Sequence, residues 1–351
     1  MKCIIHIGLH KTGSTAIQDY LSGYEDDLNF YASLSEEGIL GHKNHSIPIV
    51  GLFKTDYHSY RTFKNHNLSN KEIEDLRSYW KERLTLALIK SKRYEKSIFI
   101  SGEEISNLKH EELESLINFI RQYQKNIYVV GYIRDPISFA RSSFQQELKF
   151  GLAKVPKKIS QKFIKKCNNF INILGKENVL IKEFHKDKLK NNSVVDDFAN
   201  IFSLKVDQNK TYNNNSSLSA DAIKILFKIN KFLEINNNYN SFYIRKRAIS
   251  LLQKIFLDDR KIPIDLFASI ADYKANKWAK NNYDIEFPVK DFTKADTSSL
   301  QNWLSENLDK LEFQLISFLK KNNITADNLN YIDKLLELCA KKDFNKSKLS
   351  F

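Results

Sequence analysis

The chain has 351 residues, 42% of them hydrophobic, and carries 55 Lys and Arg against 42 Asp and Glu, for a formal net charge of +13. These proportions exclude a collagen-like, intrinsically disordered or disulfide-scaffold protein, and no run approaches the roughly 18 apolar residues that a membrane-spanning helix needs. The cationic excess favours an anionic partner such as a nucleotide, an acidic glycan or a nucleic acid, although lysines scattered among asparagines read equally as composition bias. Three cysteines, Cys3, Cys167 and Cys339, lie far apart with no metal-ligand spacing, which points to a reducing compartment. The length suits one large domain, or one domain with an appended lobe.

The first element is Ile4-Ile5-His6-Ile7, a short β-branched run that predicts a buried strand. Gly8 and Gly13 follow, and Ala16, Ile17, Tyr20 and Leu21 then fall on one face of a helix. Strand, glycine loop and helix form the layout of a phosphate cradle, in which backbone N–H groups and the helix dipole face an anion. The two glycines have the spacing of a P-loop, but Ser14 stands where that motif has lysine, and the cation sits inside the loop as Lys11. The plainer reading is a glycine turn beside a solvated lysine.

His6-Ile7-Gly8-Leu9-His10-Lys11-Thr12-Gly13-Ser14-Thr15-Ala16-Ile17-Gln18 resembles the 5′-phosphosulfate loop of sulfotransferases that use 3′-phosphoadenosine 5′-phosphosulfate, PAPS. The likeness is to the bacterial and Golgi-type carbohydrate branch. It implies that Lys11 contacts the transferring sulfuryl group, with Gly8, Thr12, Gly13, Ser14 and Thr15 in the loop that holds the 5′-phosphate. Golgi members carry an N-terminal anchor. Here Met1-Lys2 leads straight into the strand, so a soluble cytoplasmic enzyme is expected.

Residues 25–70 read as polar and irregular, broken by Gly38, Gly41 and Pro48, and carry His42, His45, His58 and His66 without metal-ligand spacing. A long loop of this kind is expected to lie over the cofactor loop and shape the acceptor site. Residues 71–92 predict a helix with Ile73, Leu76, Trp80, Leu84 and Leu88 inward, capped by Ser69 or Asn70. The strand Ser97–Ser101 ends in Gly102-Glu103-Glu104-Ile105-Ser106. Carboxylates at the carboxyl end of a strand stand where open α/β sheets bind ligands, or else neutralise a helix start. The family resemblance implies that Glu103 is the base that takes the acceptor proton, with His10 or a histidine of 42–66 as alternatives.

After a helix over 110–122, the apolar strand Ile127–Ile133 runs into Arg134-Asp135-Pro136, and Pro136 suits a first helical turn. An arginine fork with a serine hydroxyl suits a phosphate monoester; the alternative is an arginine paired with Asp135 or Glu147. Arg134 and Ser142 match the 3′-phosphate motif of the same family, which implies that role for both. Further on come a helix over 159–174 with a basic run, Lys157 to Lys166, a strand over 178–184 and a helix over 194–202. The basic run is either a solvated face or a guide for an acidic acceptor. Asn215-Ser216-Ser217-Leu218-Ser219 continues the likeness, which covers about residues 1–235 with a weak middle at 25–95. Helices are expected over 241–258, 263–280, 297–321 and 326–341, with Phe242, Trp278, Trp303 and Phe313 packing among them.

The expected fold is α/β: a P-loop-like, mostly parallel central sheet flanked by helices, with a PAPS-binding core over 1–235 and a helical C-terminal extension over 236–351. The expected function is transfer of a sulfuryl group from PAPS to a hydroxyl of a carbohydrate, on a surface polysaccharide or glycolipid. No metal is implied, and no nucleic-acid partner; peripheral membrane contact stays open. The rival readings are a P-loop-type nucleotide kinase or NTPase, which Ser14 opposes, and a non-enzymatic basic protein that binds glycan or nucleic acid.

Overall fold

A computed structural model describes residues 1–9, 11–207, 212, 218–236, 242–287, 297–341, 344 and 349. Its strands are β1 (Cys3–Ile7), β2 (Asn29–Tyr31), β3 (Ser97–Ser101), β4 (Ile127–Ile133) and β5 (Val179–Glu183). The helices up to the middle of the chain are α1 (Ser14–Leu21), α2 (Ser46–Phe53), α3 (Arg61–Asn65), α4 (Asn70–Arg93), α5 (His110–Arg121), α6 (Pro136–Lys149) and α7 (Phe163–Leu174). The later ones are α8 (Val194–Phe202), α9 (Ala220–Ile235), α10 (Phe242–Ile255), α11 (Lys274–Tyr283), α12 (Thr297–Ser305), α13 (Leu308–Lys321) and α14 (Tyr331–Ala340). Among the described residues no helix is long and apolar enough to cross a membrane.

The strands form one all-parallel sheet in the order β2-β3-β1-β4-β5. Every residue of β1 is buried, as a parallel strand covered on both faces requires. Alternate side chains separate the layers. Cys3, Ile5, Ile7, Ile98, Ile100, Val129 and Ile133 join one core, which includes Trp80 and Leu84 of α4, Leu116 of α5 and Cys167 of α7. Ile4, Phe99, Val130 and Tyr132 join the other, with Ile17 of α1 and Phe198 of α8.

The chain divides into two compact units. The first comprises Met1–Asp135, Gln161–Asn214 and Lys274–Pro288 and holds the sheet; the second comprises Pro136–Ser160, Asn215–Tyr273 and Val289–Phe351. The second is helical, with a core that includes Phe144 and Leu148 of α6, Ile223 and Leu226 of α9, Leu252 of α10, Leu315 of α13 and Leu335 of α14. The division expected after residue 235 is therefore drawn elsewhere. Helix α9 packs in the second unit, and α11 belongs to the first.

Several local expectations change for physical reasons. Residues 25–70 are not one irregular loop: they contain β2, α2 and α3, and Phe30, Ile49, Val50 and Phe63 enter the core. Helix α7 starts at Phe163 rather than at 159, because Lys162 before it is left-handed (φ 51°) and Ile159 bridges to Ala271 instead. The helix expected over 263–280 begins only at Lys274, and the one over 297–321 breaks at Asn307 (φ 57°). Trp278 packs in the first unit, edge-on to Phe163, with its indole N–H donating to Asn168 Oδ1 at 3.1 Å. Phe242 and Phe313 are exposed.

A buried polar network pins β1 to β3. His6 Nδ1 lies 2.7 Å from Ser101 Oγ, and the Ser101 N–H donates to His45 Nδ1 at 3.2 Å. The His45 ring stacks on Tyr31 at 4.3 Å, and the His6 ring meets the edge of Phe198. Burial lowers His6 to about 4, against the opposing charge of Glu103, and lowers His45 to about 3. Both rings are thus held neutral in the fold, and the unfolded chain takes up their protons first, near pH 6.5. Their contribution is complete above pH 6.5 and is lost as pH falls toward 4. Between pH 7 and pH 5 the loss is on the order of 2 kcal/mol per histidine. Urea unfolding at the two pH values should show it, and His6→Gln should flatten part of the slope. An unchanged slope in His6→Gln would mean that His6 does not fold as a buried neutral ring.

Candidate functional site

The order of the sheet changes direction at β1: the chain leaves β1 for β2 and β3 on one side, then crosses to β4 on the other. Open α/β sheets bind ligands outside the carboxyl ends of the strands at such a point. The residues that leave β1, β3 and β4 there are Gly8 to Gly13, Glu103 and Arg134.

Gly8 has no room for a side chain. A Cβ there would lie 2.3 Å from Glu103 Cγ and 2.4 Å from Ser14 Oγ. The Glu103 side chain and the first residue of α1 therefore both rest on the Gly8 backbone. The loop then takes two left-handed residues, Lys11 (φ 61°) and Gly13 (φ 78°). Such a conformation costs a non-glycine residue roughly 1–2 kcal/mol, and it turns the chain sharply into α1. The Gly13 carbonyl accepts from the N–H groups of Ala16 and Ile17, at 3.0 and 3.2 Å. Helix α1 has no side-chain cap. His10, one of the expected catalytic residues, lies outside the described residues, as do Asn215, Ser216 and Ser217.

Thr12 and Ser14 are 1% and 3% exposed, and among the described residues Thr12 Oγ1, Ser14 Oγ and Gln18 Nε2 have no hydrogen-bond partner. Buried polar groups in native proteins are nearly always paired. Two hydroxyls at the start of α1 and an amide one turn further on are donors that could serve acceptor oxygens. Thr15, by contrast, is exposed.

Glu103 and Glu104 face different partners, though not by strand alternation. Glu103 is already in a helical conformation (φ −64°, ψ −42°) and caps a turn over Glu104–Asn107, with Ser106 Oγ donating to its carbonyl at 2.8 Å. Glu104 accepts from the Tyr60 hydroxyl, and its N–H donates to Ser46 Oγ at 3.0 Å. Gly102 permits this turn by close approach, since a Cβ there would meet Ser46 N at 2.6 Å. Helix α7 supplies a residue that sequence reading left in a general basic run. The half-buried Lys166 ammonium is lowered in pKa by burial, while the Glu103 carboxylate, and more weakly Cys167 and Glu104, raise it. Only the packing of α7 singles it out from its neighbours.

Arg134 leaves β4 and donates from Nη1 to the Lys11 carbonyl at 3.4 Å, with its guanidinium 5.5 Å from the Phe184 ring centre. Its own carbonyl accepts from Gln161 Nε2. The arginine and the glycine loop, more than a hundred residues apart in sequence, thus meet in one unit. Ser142 lies on α6, in the second unit. Of the histidines named as alternative bases, His45 is buried against Ser101 and Tyr31, and the His42 ring lies 3.1 Å from the Ser35 carbonyl.

Comparison of the chain with protein-family models, curated proteins and solved structures gave no match.

Gly13 and Gly23 separate conformation from packing. Both are left-handed, but a Cβ at Gly13 would meet Val194 Cγ1 at 2.7 Å and Phe184 at 3.3 Å, whereas Gly23 has nothing within 4 Å. Gly23→Ala should cost about 1–2 kcal/mol. Gly13→Ala should cost a further 1–3 kcal/mol or so from overpacking against α8. Chemical denaturation measures both, and equal losses would show that α8 does not close on the loop.

Proposed function

We propose that this protein is a PAPS-dependent sulfotransferase that moves a sulfuryl group to a hydroxyl of a carbohydrate acceptor, on a polysaccharide or glycolipid. The observation that supports the reading is that Arg134, at the end of β4, donates to the Lys11 carbonyl of the glycine loop, next in sequence to the Thr12 and Ser14 hydroxyls that lack partners among the described residues.

On this reading the Thr12 and Ser14 hydroxyls and the first N–H groups of α1 hold the 5′-phosphate, with Gly8, Gly13 and Thr15 shaping the loop. Arg134 holds the 3′-phosphate. The acceptor oxygen forms a bond to sulfur as the bond from sulfur to the bridging oxygen breaks. The leaving phosphate keeps the electron pair, and the acceptor proton passes to Glu103. Transfers of this kind ask the protein chiefly for positioning and charge stabilisation. Lys11 stabilises the negative charge that grows on the bridging oxygen. Lys166 is the cation of α7 that interacts with the Glu103 carboxylate. Fixed donors supply the stabilisation without a metal in the scheme. Ser14, in place of a P-loop lysine, favours this donor over ATP.

Calorimetry with 3′-phosphoadenosine 5′-phosphate, ATP and RNA tests the reading directly: tight binding of the first alone supports it, and preference for ATP or RNA overturns it. Arg134→Ala should weaken 3′-phosphoadenosine 5′-phosphate far more than adenosine 5′-phosphosulfate, which lacks the 3′-phosphate. Equal losses would give Arg134 a role in the loop instead.

Lys11→Ala should lower turnover by about 10²–10³-fold, and Glu103→Gln by about 10²–10⁴-fold with little change in PAPS affinity. Glu104→Gln should do much less. Transfer of radiolabelled sulfate to a glycan mixture, with circular dichroism to check folding, provides the readout. Near wild-type turnover in folded Glu103→Gln would remove it as the base.

A further inference from the structure

The second unit contains a cleft of about 290 Å³ whose lining includes Lys224, Arg260, Lys261, Asp221, Pro263 and Trp303. Three cations and one carboxylate line it, and Asp258, outside the lining, pairs with Arg260 as well. Lys224 stands on the first turns of α9 and is only 6% exposed. Its ammonium donates to the Glu306 carbonyl at 3.0 Å and lies 4.5 Å from the centre of the Trp303 ring. Among the described residues it makes no ion pair within 4 Å, and the single lining carboxylate, Asp221, is engaged by Arg260 at 3.0 Å.

A buried ammonium is costly unless it is paired. Burial lowers the pKa of Lys224, and the more distant Glu306 and Asp221 only oppose that shift. An ammonium has three donors, and the Glu306 carbonyl takes one. The rest of the wall is of mixed character, with Trp303 and Pro263 giving an apolar flank and the exposed Arg260 and Lys261 standing at the rim. Ligand pockets usually run from roughly 300 to 1,000 Å³, so this cleft suits one small ring rather than a long chain.

We infer that this cleft binds a small anionic ring compound, with its oxyanion (a sulfate ester, phosphate ester or carboxylate) on Lys224, Arg260 and Lys261, and its ring against Trp303 and Pro263. The site stands whether or not the first unit transfers sulfuryl groups, because none of its residues belongs to that unit.

Ligand-observed NMR and calorimetry on the full chain test it, with glucose 6-sulfate, glucose 6-phosphate, glucuronate, inorganic sulfate and glucose as probes. At least one charged sugar should bind at millimolar concentration, while glucose does not; which one binds distinguishes the ester from the carboxylate. Lys224→Met should weaken that binding by about 10-fold or more, the worth of a hydrogen bond to a charged group. Arg260→Gln with Lys261→Gln, on exposed side chains, should also weaken it and serves if Lys224→Met fails to fold. Lys246→Gln, an exposed lysine outside the cleft, should leave it unchanged. No binding by any charged sugar, or binding untouched by the rim variants, would overturn the site. Equal binding of inorganic sulfate and the sugar would overturn the role of the ring.

Discussion

Strand β1 has a neighbour on each edge and cover on each face, so nothing about its position is free to vary. Its backbone bonds are taken by β3 and β4, and its side chains alternate into two separate cores. The chain can escape this confinement only past Ile7, at the carboxyl edge of the sheet. There it must turn at once into α1, and the turn uses two left-handed residues. The helix start that results has N–H groups with no carbonyl of their own to meet. A fully enclosed strand thus fixes where the loop and the start of α1 lie.

The close approach at Gly8 transmits that rigidity to the next strand. With Glu103 Cγ and Ser14 Oγ both against its α-carbon, the acid after β3 and the hydroxyl at the start of α1 share one backbone surface. Below them, the His6, Ser101 and His45 contacts tie the same two strands together. The candidate site is therefore carried by strand ends and a short turn rather than by long loops, which favours precise placement of a few polar groups.

The strands that sequence reading finds are those buried on both faces, because β-branched runs such as Ile127–Ile133 leave an unambiguous pattern. Strand β2 is invisible to that logic: it has three residues and lies at the sheet edge with Asn29 partly exposed. Helix α2 is missed for a different reason. Pro48 reads as a breaker, but it occupies the first turn, where the missing N–H has no partner to lose. The places of Lys11, Gly13, Glu103 and Arg134 just past strand ends can be read from the sequence, whereas the roles expected of them come from the family resemblance. Lys166 and the two buried histidines are not legible, because their character comes from what packs around them. The second unit is misdivided in sequence because helical periodicity says nothing about which core a helix joins, as Trp278 demonstrates.

The interleaving of the two units along the chain bears on how the protein is made. The sheet is complete once β5 has been synthesised, yet its core also needs Ala279, Ile285 and Phe287, which come much later. Until those residues leave the ribosome, Phe163 lacks the indole that packs on it. Domains generally fold as units in the order of synthesis. Here the unit begun first must wait for a late segment, while α6, already synthesised, waits for α9 and α14. Neither unit has its full core until these later segments are made.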